Sequence, residues 1–422
     1  MTNFQTLASP YAERFLNQIR EESRDGRGVS RQGYGPHEQY VHDLVISEAK
    51  RLNMEIEIDP AGNLWITRPG KNRSLPGIVS GSHGDSVPEG GNYDGLAGVC
   101  AAMTVADMLD RLNVQLERDY TVLVTRMEES SWFGRAYVGS LALTGNLKPE
   151  EVQLRHRISD RTLFDTIKDA GFDPVTMTSG KPLKELSNIA AFIELHIEQG
   201  PTLENNPTHR IAAVTGIRGN LRHKICRVIG ETAHSGAVNR EFRHDAVLAL
   251  ADLLSRMDKH WKEWLDAGED LVFTCGVVNT AKTAAIAIIP GEVTFGLDMR
   301  SLSMDTLYRF HNLMLAECDE IAKERGVRFE FDNVLVCEAS GVDPQVRGRI
   351  EKAAADHSLN ALSIPSGAGH DAAVLSNAGV PVGMIFVANQ NGSHNWREAM
   401  KLEDFIQGAE LLWHTVCDYD NK

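Results

Sequence analysis

The sequence predicts an α/β fold: a mixed sheet flanked by helices, interrupted by a smaller inserted α+β domain. Three observations carry that expectation. Apolar runs of strand length alternate with helical patterns over the first 125 residues, the pattern changes near residue 213, and Gly-rich strand ends resume after residue 330. The expected boundaries are residues 1–213 together with 331–422 for the larger domain and 214–330 for the insertion.

Taken in order, YAERFLNQIREES (11–23) and PHEQYVHDLVISEAKRLNM (36–54) have amphipathic helical spacing, and Pro36 suits a first helical turn. The Gly-rich RDGRGVSRQGYG separates them. MEIEID and NLWITR read as strands joined by the turn PAGN. LPGIVSGSH (75–83) reads as a strand buried on both faces, and GLAGVCAAMTVADMLDRL (95–112) as a small-residue helix packed closely on the sheet. DYTVLVTRMEES (119–130) is another strand, ending in carboxylates. Strand, helix, strand with short connections is a parallel layer, in which ligands gather at the carboxyl ends of strands.

In the insertion, LRHKICRVIGE alternates like a half-exposed strand and RHDAVLALADLLSRMDKHW is an amphipathic helix. DLVFTCGVVNT and EVTFGLDMRS are further strands, and MDTLYRFHNLMLAECDEIAKERG is a second long helix. That order is ferredoxin-like, and about 115 residues suffice for an independent unit.

The chain has 422 residues and a formal net charge of −15. With no local basic patch, a nucleic-acid or anionic-membrane partner is not expected. Six scattered cysteines without a C-x-x-C pair indicate neither a disulfide scaffold nor a cysteine-rich zinc site. The N-terminus mixes charges from the start, and no run of about 18 apolar residues occurs, so the expectation is a soluble, cytoplasmic protein.

Histidines and acids collect beside glycine or at strand ends. They are His83 and Asp85 in GSHGD, Asp94 in NYDG, Glu128 and Glu129 in RMEES, His196 and Glu198 in ELHIEQG, His370 and Asp371 in GAGHDAA, and His394 in NGSHNWRE. Imidazole and carboxylate without sulfur suit Zn²⁺, Mn²⁺ or Co²⁺. Each residue alone also reads as an ordinary hydrogen-bonded loop group. Glu128 and Glu129, however, leave a buried strand, and two confined carboxylates resist joint ionisation unless a cation lies nearby. Alternation likewise puts Glu194, His196 and Glu198 on one face of an apolar strand, where they need a partner. A two-metal hydrolase requires a carboxylate bridging metals about 3.5–4 Å apart, further N/O ligands, and a carboxylate base for the bridging water. The chain contains residues of every one of these types.

The motifs GSHGDSVPEGGNYDGLAGV, EES, ELHIEQGPTLE, IPGEVTFGLDMRS, GAGHDAA and SHNWRE resemble those of the M20 metallopeptidase-like amidohydrolases. The branch is that of N-carbamoyl-L-amino-acid hydrolase, β-ureidopropionase and allantoate amidohydrolase, and the likeness covers nearly the whole chain. It implies a catalytic domain holding two divalent metal ions (Zn, Mn, Co or Ni), an inserted lid and dimerisation domain, and a homodimer. His83, Asp94, Glu129, His196 and His394 would be the metal ligands, Asp94 bridging. Glu128 would be the general base, Asp85 would orient His83, and His234 in GETAHSG would steady the oxyanion. Gln199, Arg300 and His370 would contact substrate, Arg300 gripping its carboxylate.

The same likeness implies hydrolysis of a linear C–N amide bond in a small carboxylate-bearing substrate, foremost an N-carbamoyl (ureido) amino acid. Two positions depart from the family pattern: Ala287 stands where an asparagine is usual before IPGEV, and Trp132 where a basic residue follows the paired glutamates. A less polar pocket taking N-acyl amino acids is the alternative they raise. A binding protein on the same fold without turnover is the other, and no ligand or base position is missing to support it.

Overall fold

The structure, a computed structural model, describes residues 3–420. The chain forms two compact units, one of Met1–Thr215 with Gly341–Lys422 and one of Gly216–Ser340. The second boundary falls later than residue 330 because Leu335–Cys337 pairs antiparallel with Gly219–Ile229 and so belongs to the smaller sheet.

In the larger unit four neighbouring strands run parallel, in the order Val382–Val387, Ile189–Ile197, Gly77–His83, Tyr120–Thr125. All four are buried almost throughout, as strands covered on both faces must be. Antiparallel strands extend the sheet on both sides: Leu64–Arg68 and Glu55–Ile58 beyond Tyr120–Thr125, and Ile211–Ile217 beyond Val382–Val387. The sheet is therefore mixed, with its parallel part at the centre. Helix Leu96–Arg111 packs on the central strands, and Asn3–Glu22 and Leu402–Asp420 pack against it, closing one large core. Leu96–Arg111 can lie this close because its inner face is built from Ala97, Gly98, Ala101 and Ala102, all buried.

Residues 126–188, which carry little periodic signal, fold into short helices around a second small core containing Trp132, Phe133, Val138, Leu163 and Ile167. Asp173 and Thr162 cap two of those helices through their side chains, a local device that makes short helices possible.

In the smaller unit the strands lie in the order Val272–Thr280, Glu292–Ser301, Gly219–Ile229, Arg328–Phe331, all antiparallel. Helices Ala246–Asp266 and Met304–Arg325 bury Leu250, Leu253, Phe310 and Met314 against that sheet. Asp245 and Ser303 cap the two helices. Among the described residues no two cysteines are joined in a disulfide. Among the described residues no helix is long and apolar enough to cross a membrane.

Candidate metal centre

The carboxyl ends of the four parallel strands converge, and each delivers polar side chains. His83 is the last residue of its strand and His196 the last but one of its own. Glu128 and Glu129 follow Tyr120–Thr125, and His394 follows Val382–Val387. Asp94 reaches the same place from the turn entering helix Leu96–Arg111. That turn depends on Gly95, whose φ of +68° is left-handed and whose hypothetical Cβ would lie 2.4 Å from the His83 ring.

Asp94 presents its two oxygens to different partners. Oδ1 is 3.5 Å from His83 Nε2 and 3.2 Å from His196 Nε2, while Oδ2 is 3.4 Å from His394 Nε2. Glu129 Oε1 lies 3.1 Å from that same His394 nitrogen. Two ligand-capable sets result, His83–Asp94–His196 and Asp94–Glu129–His394, sharing only Asp94. All members but His394 are buried; the His394 side chain is 53 % exposed, leaving that side open.

The imidazoles are held in definite tautomers by their other nitrogens. His83 Nδ1 faces Asp85 Oδ1 at 3.1 Å, and His196 Nδ1 donates to the carbonyl of Ile197 at 2.9 Å, which turns both Nε2 atoms toward Asp94, while His196 Nε2 also accepts the Gly95 N–H at 3.1 Å. Asp85 serves a second purpose: its oxygens accept the backbone N–H groups of Glu128 (3.0 Å) and Glu129 (3.1 Å). One buried carboxylate thus ties the His83 loop to the Glu128 loop.

The electrostatics call for positive charge. Burial alone would raise Asp94, but His196, His394 and His83 outweigh it and hold the carboxyl well below its usual range. Burial would lower His83, yet Glu128, Asp85 and Asp94 push it well above. The neighbouring carboxylates of Asp94 and Glu129 raise His394 to about 11. Glu128, raised by burial and further by Glu129 and Asp371 against the pull of His83, lies well above an ordinary carboxyl. Carboxylates crowded this closely favour a divalent cation among them. The donor set fits divalent ions by a second sign. Glu129 Oε1 is buried and makes no hydrogen bond although His394 Nε2 is close, so the two groups point past one another toward a shared partner.

Three residues here, Met127 (φ 46°), Gln199 (φ 63°) and His394 (φ 58°), sit in the left-handed region without being glycine. Such conformations cost of order 1 kcal/mol or more each and persist where surrounding structure imposes them. Gln199 donates from Nε2 to Asp94 Oδ2 (2.7 Å), and its Oε1 is buried without a partner.

Other expected residues lie as follows. His370 is 2 % exposed, accepts the Ser366 hydroxyl or donates to it at 2.8 Å, and packs edge-on to His196 at 4.5 Å. It also occupies the N-cap of helix Asp371–Asn377. Glu194 is buried and accepts from Ser82 Oγ and Ala372 N. Glu198 falls past the strand, which stops at Ile197, and clasps the N–H groups of Thr202 and Leu203 instead. His234 and Arg300 belong to the smaller unit. His234 is exposed and its Nδ1 accepts from Gly236 N; Arg300 pairs with Asp298 at 2.9 Å. Ala287 is exposed, and its carbonyl accepts from Ser235 N. Trp132 does not behave as a pocket substitution. It is 7 % exposed in the second core, and its indole N–H donates to Ser86 O.

Two residues escaped sequence reasoning. Glu398, in the quoted SHNWRE, is buried and accepts the N–H groups of Tyr93 and Asp94, with Ser393 Oγ between it and Asp94. Arg31, in GVSRQGYG, is fully buried and donates to Gly84 O (2.9 Å), Asn92 Oδ1 (3.1 Å) and Asn92 O (3.2 Å). It therefore clamps both ends of the loop that spaces His83 from Asp94. The only local signal was a charged side chain amid glycine and serine.

Known proteins resemble this chain over nearly its whole length. The family model described as peptidase family M20/M25/M40 matches residues 79–418. The N-carbamoyl-L-amino acid amidohydrolase of Geobacillus stearothermophilus is 31% identical over 416 residues, covering 96% of this chain and 97% of that protein. The allantoate amidohydrolase of Bacillus subtilis (strain 168) is 30% identical over 395 residues, covering 92% of each. Among solved structures, an amidase of the hydantoinase/carbamoylase family from Burkholderia multivorans superposes with a TM-score of 0.88 at 26% identity, covering 97% of this chain and 98% of that one.

Proposed function

The chain belongs to peptidase family M20/M25/M40, and from that premise we propose that it is a metal-dependent amidohydrolase acting on the linear C–N bond of a small carboxylate-bearing ureido compound, foremost an N-carbamoyl amino acid. The observation that carries this reading is the split presentation of Asp94, one oxygen toward His83 and His196 and the other toward His394. His83, Asp94 and His196 would hold one divalent ion, and Asp94, Glu129 and His394 the other. Two such ions, when bound, polarise a carbonyl and lower the pKa of water.

The chain's own residues supply the remainder. Glu128 takes the proton of the attacking water and returns it to the departing nitrogen, for which its place beside His83 but outside both ligand sets suits it. Hydrolysis of an N-carbamoyl amino acid with one water then yields the amino acid, ammonia and carbon dioxide. Gln199 and His370 border the substrate, Arg300 grips its carboxylate through the planar guanidinium, and His234 steadies the oxyanion. In this reading the smaller unit is a ferredoxin-like lid and the working form a homodimer. The relatives named for N-carbamoyl-L-amino acids and for allantoate support the ureido class. The N-acyl alternative loses one support, since Trp132 is a core residue.

The test is a substrate panel on chelator-stripped protein reloaded with Mn²⁺, Zn²⁺, Co²⁺ or Ni²⁺. Metal-restored release of ammonia from N-carbamoyl amino acids or allantoate, with N-acyl amino acids turned over poorly, is the expected result. Turnover without metal, or cleavage of N-acyl substrates alone, would overturn it.

A further inference from the structure

His223 and Cys226 are three residues apart on one strand, an odd step that regular pleating would send to opposite faces. Strand Gly219–Ile229 avoids this by slipping against Glu292–Ser301. Cys226 pairs with Phe295 and His223 with Leu297, so Lys224 and Ile225 together stand against Gly296. This is a β-bulge, a device that re-aims side chains. Its outcome shows in burial: Lys224 and Ile225 are exposed, while His223 and Cys226 on either side are buried.

Asp332, the residue after strand Arg328–Phe331, closes over the bulge. Its Oδ2 accepts the N–H groups of Lys224 (3.1 Å) and Ile225 (3.2 Å), and its Oδ1 lies 3.0 Å from His223 Nδ1. On the other side of the ring, His223 Nε2 is 2.9 Å from His311 Nε2 of helix Met304–Arg325. One ligand-capable atom each from His223, Cys226 and Asp332 lies within 4.8 Å of the others. Zinc bonds of about 2.0–2.3 Å separate tetrahedral donors by roughly 3.3–3.6 Å, so the three groups need only side-chain adjustment to share one ion.

We propose that His223, Cys226 and Asp332 hold a divalent cation of the zinc class within the smaller unit, separate from the centre around Asp94. Cys226 ligates as thiolate, releasing its proton to solvent, and a water completes the four positions. His311 accepts the Nε2–H of His223 and so fixes the tautomer that turns Nδ1 to the metal. The ion would staple the bulged strand to the loop that follows its neighbour.

The ligand chemistry makes the site separable by experiment, because the set around Asp94 contains no sulfur. Full-length protein, stripped by chelation, is titrated with Co²⁺ while its near-ultraviolet thiolate-to-cobalt charge-transfer absorption is followed. The expected result is a band that saturates at one equivalent per chain and is lost in Cys226→Ser. Asp332→Asn, on a partly exposed loop residue, should keep the fold and weaken the Co²⁺ responsible for the band by about tenfold or more. No thiolate–cobalt band in the wild-type protein, or a band that survives Cys226→Ser, would overturn the proposal. The cluster would then be a proton-linked network in which His223 donates to Asp332.

Discussion

Glu398 is fastened to Asp94 through the main chain: its Oε1 accepts the Asp94 N–H at 3.3 Å and that of Tyr93 at 2.8 Å. Ser393 Oγ stands 2.5 Å from both Asp94 Oδ2 and Glu398 Oε2. A hydroxyl has one proton, so the second contact needs another. Glu398, raised to about 7 by burial and by the Asp94 charge, can carry it. Glu398→Gln retains an acceptor for the two N–H groups and a donor toward Ser393, and should bind metal as the wild type does. Glu398→Ala removes both and should weaken metal binding about 10–100-fold. Competition against a chelator measures this; equal affinity in the alanine variant would refute the positioning role.

Glu128 belongs to neither ligand set, its Oε2 lying 3.9 Å from His83 Nε2, whereas Glu129 Oε1 comes within 3.1 Å of His394 Nε2. Glu128→Gln should therefore keep its metal content and lose about 10²–10⁴ in kcat. Metal analysis alongside steady-state kinetics separates base from ligand. An unchanged kcat would remove Glu128 from the role of base.

Arg126 and Glu38 form an ion pair at 2.9 Å with side chains 2 % and 0 % exposed. Glu38 also accepts the N–H groups of Tyr34 and Met127, the latter adjacent to Glu128. Removing one member of a buried pair strands the other, so Glu38→Ala should destabilise the protein by about 3–5 kcal/mol. Denaturant unfolding checks it, and a loss below about 1 kcal/mol would mean that water enters to solvate Arg126.

His42 supplies a pH dependence away from the centre. It is 2 % exposed with Nε2 unpartnered, and burial, then Arg126, lowers it well below an ordinary histidine. The folded state binds its proton less readily than the unfolded chain. Its contribution is thus fully present above the unfolded value of about 6.5 and declines as pH falls, by up to about 1.4 kcal/mol per unit until the folded value is reached. Other buried groups, such as Glu194, raised to about 7 by burial and Asp371, act in the opposite sense. The quantity to measure is therefore the wild-type stability minus that of His42→Leu between pH 8 and 5. A difference that does not change with pH would contradict the assignment.

The strands and helices of the central layer are legible because each carries its own local signal: GIVSGSH and YTVLVT are short runs rich in β-branched and small residues, and the Ala- and Gly-rich helix after Asp94 is marked by its small residues. The ligand candidates stood out because imidazole beside glycine at a strand end is conspicuous. Residues 126–188 gave no such signal, since their short helices are fixed by side-chain caps and a shared core rather than by a repeating pattern. Glu398 gives no local signal because its partners, Tyr93 and Asp94, lie some three hundred positions earlier. Glu198 was misjudged by alternation for a simple reason: the strand ended one residue too soon.

The order of strands across the large sheet has a consequence for how the protein is made. Val382–Val387 lies directly beside Ile189–Ile197, yet the whole smaller unit is synthesised between them. While that unit emerges from the ribosome, the hydrogen-bonding edge of Ile189–Ile197 waits unpaired on that side, and the His394 half of the centre does not yet exist. The nascent chain can gather His83, Asp94 and His196 early. Both ligand sets around Asp94 can be complete only once the segment carrying His394 has joined the sheet beside Ile189–Ile197.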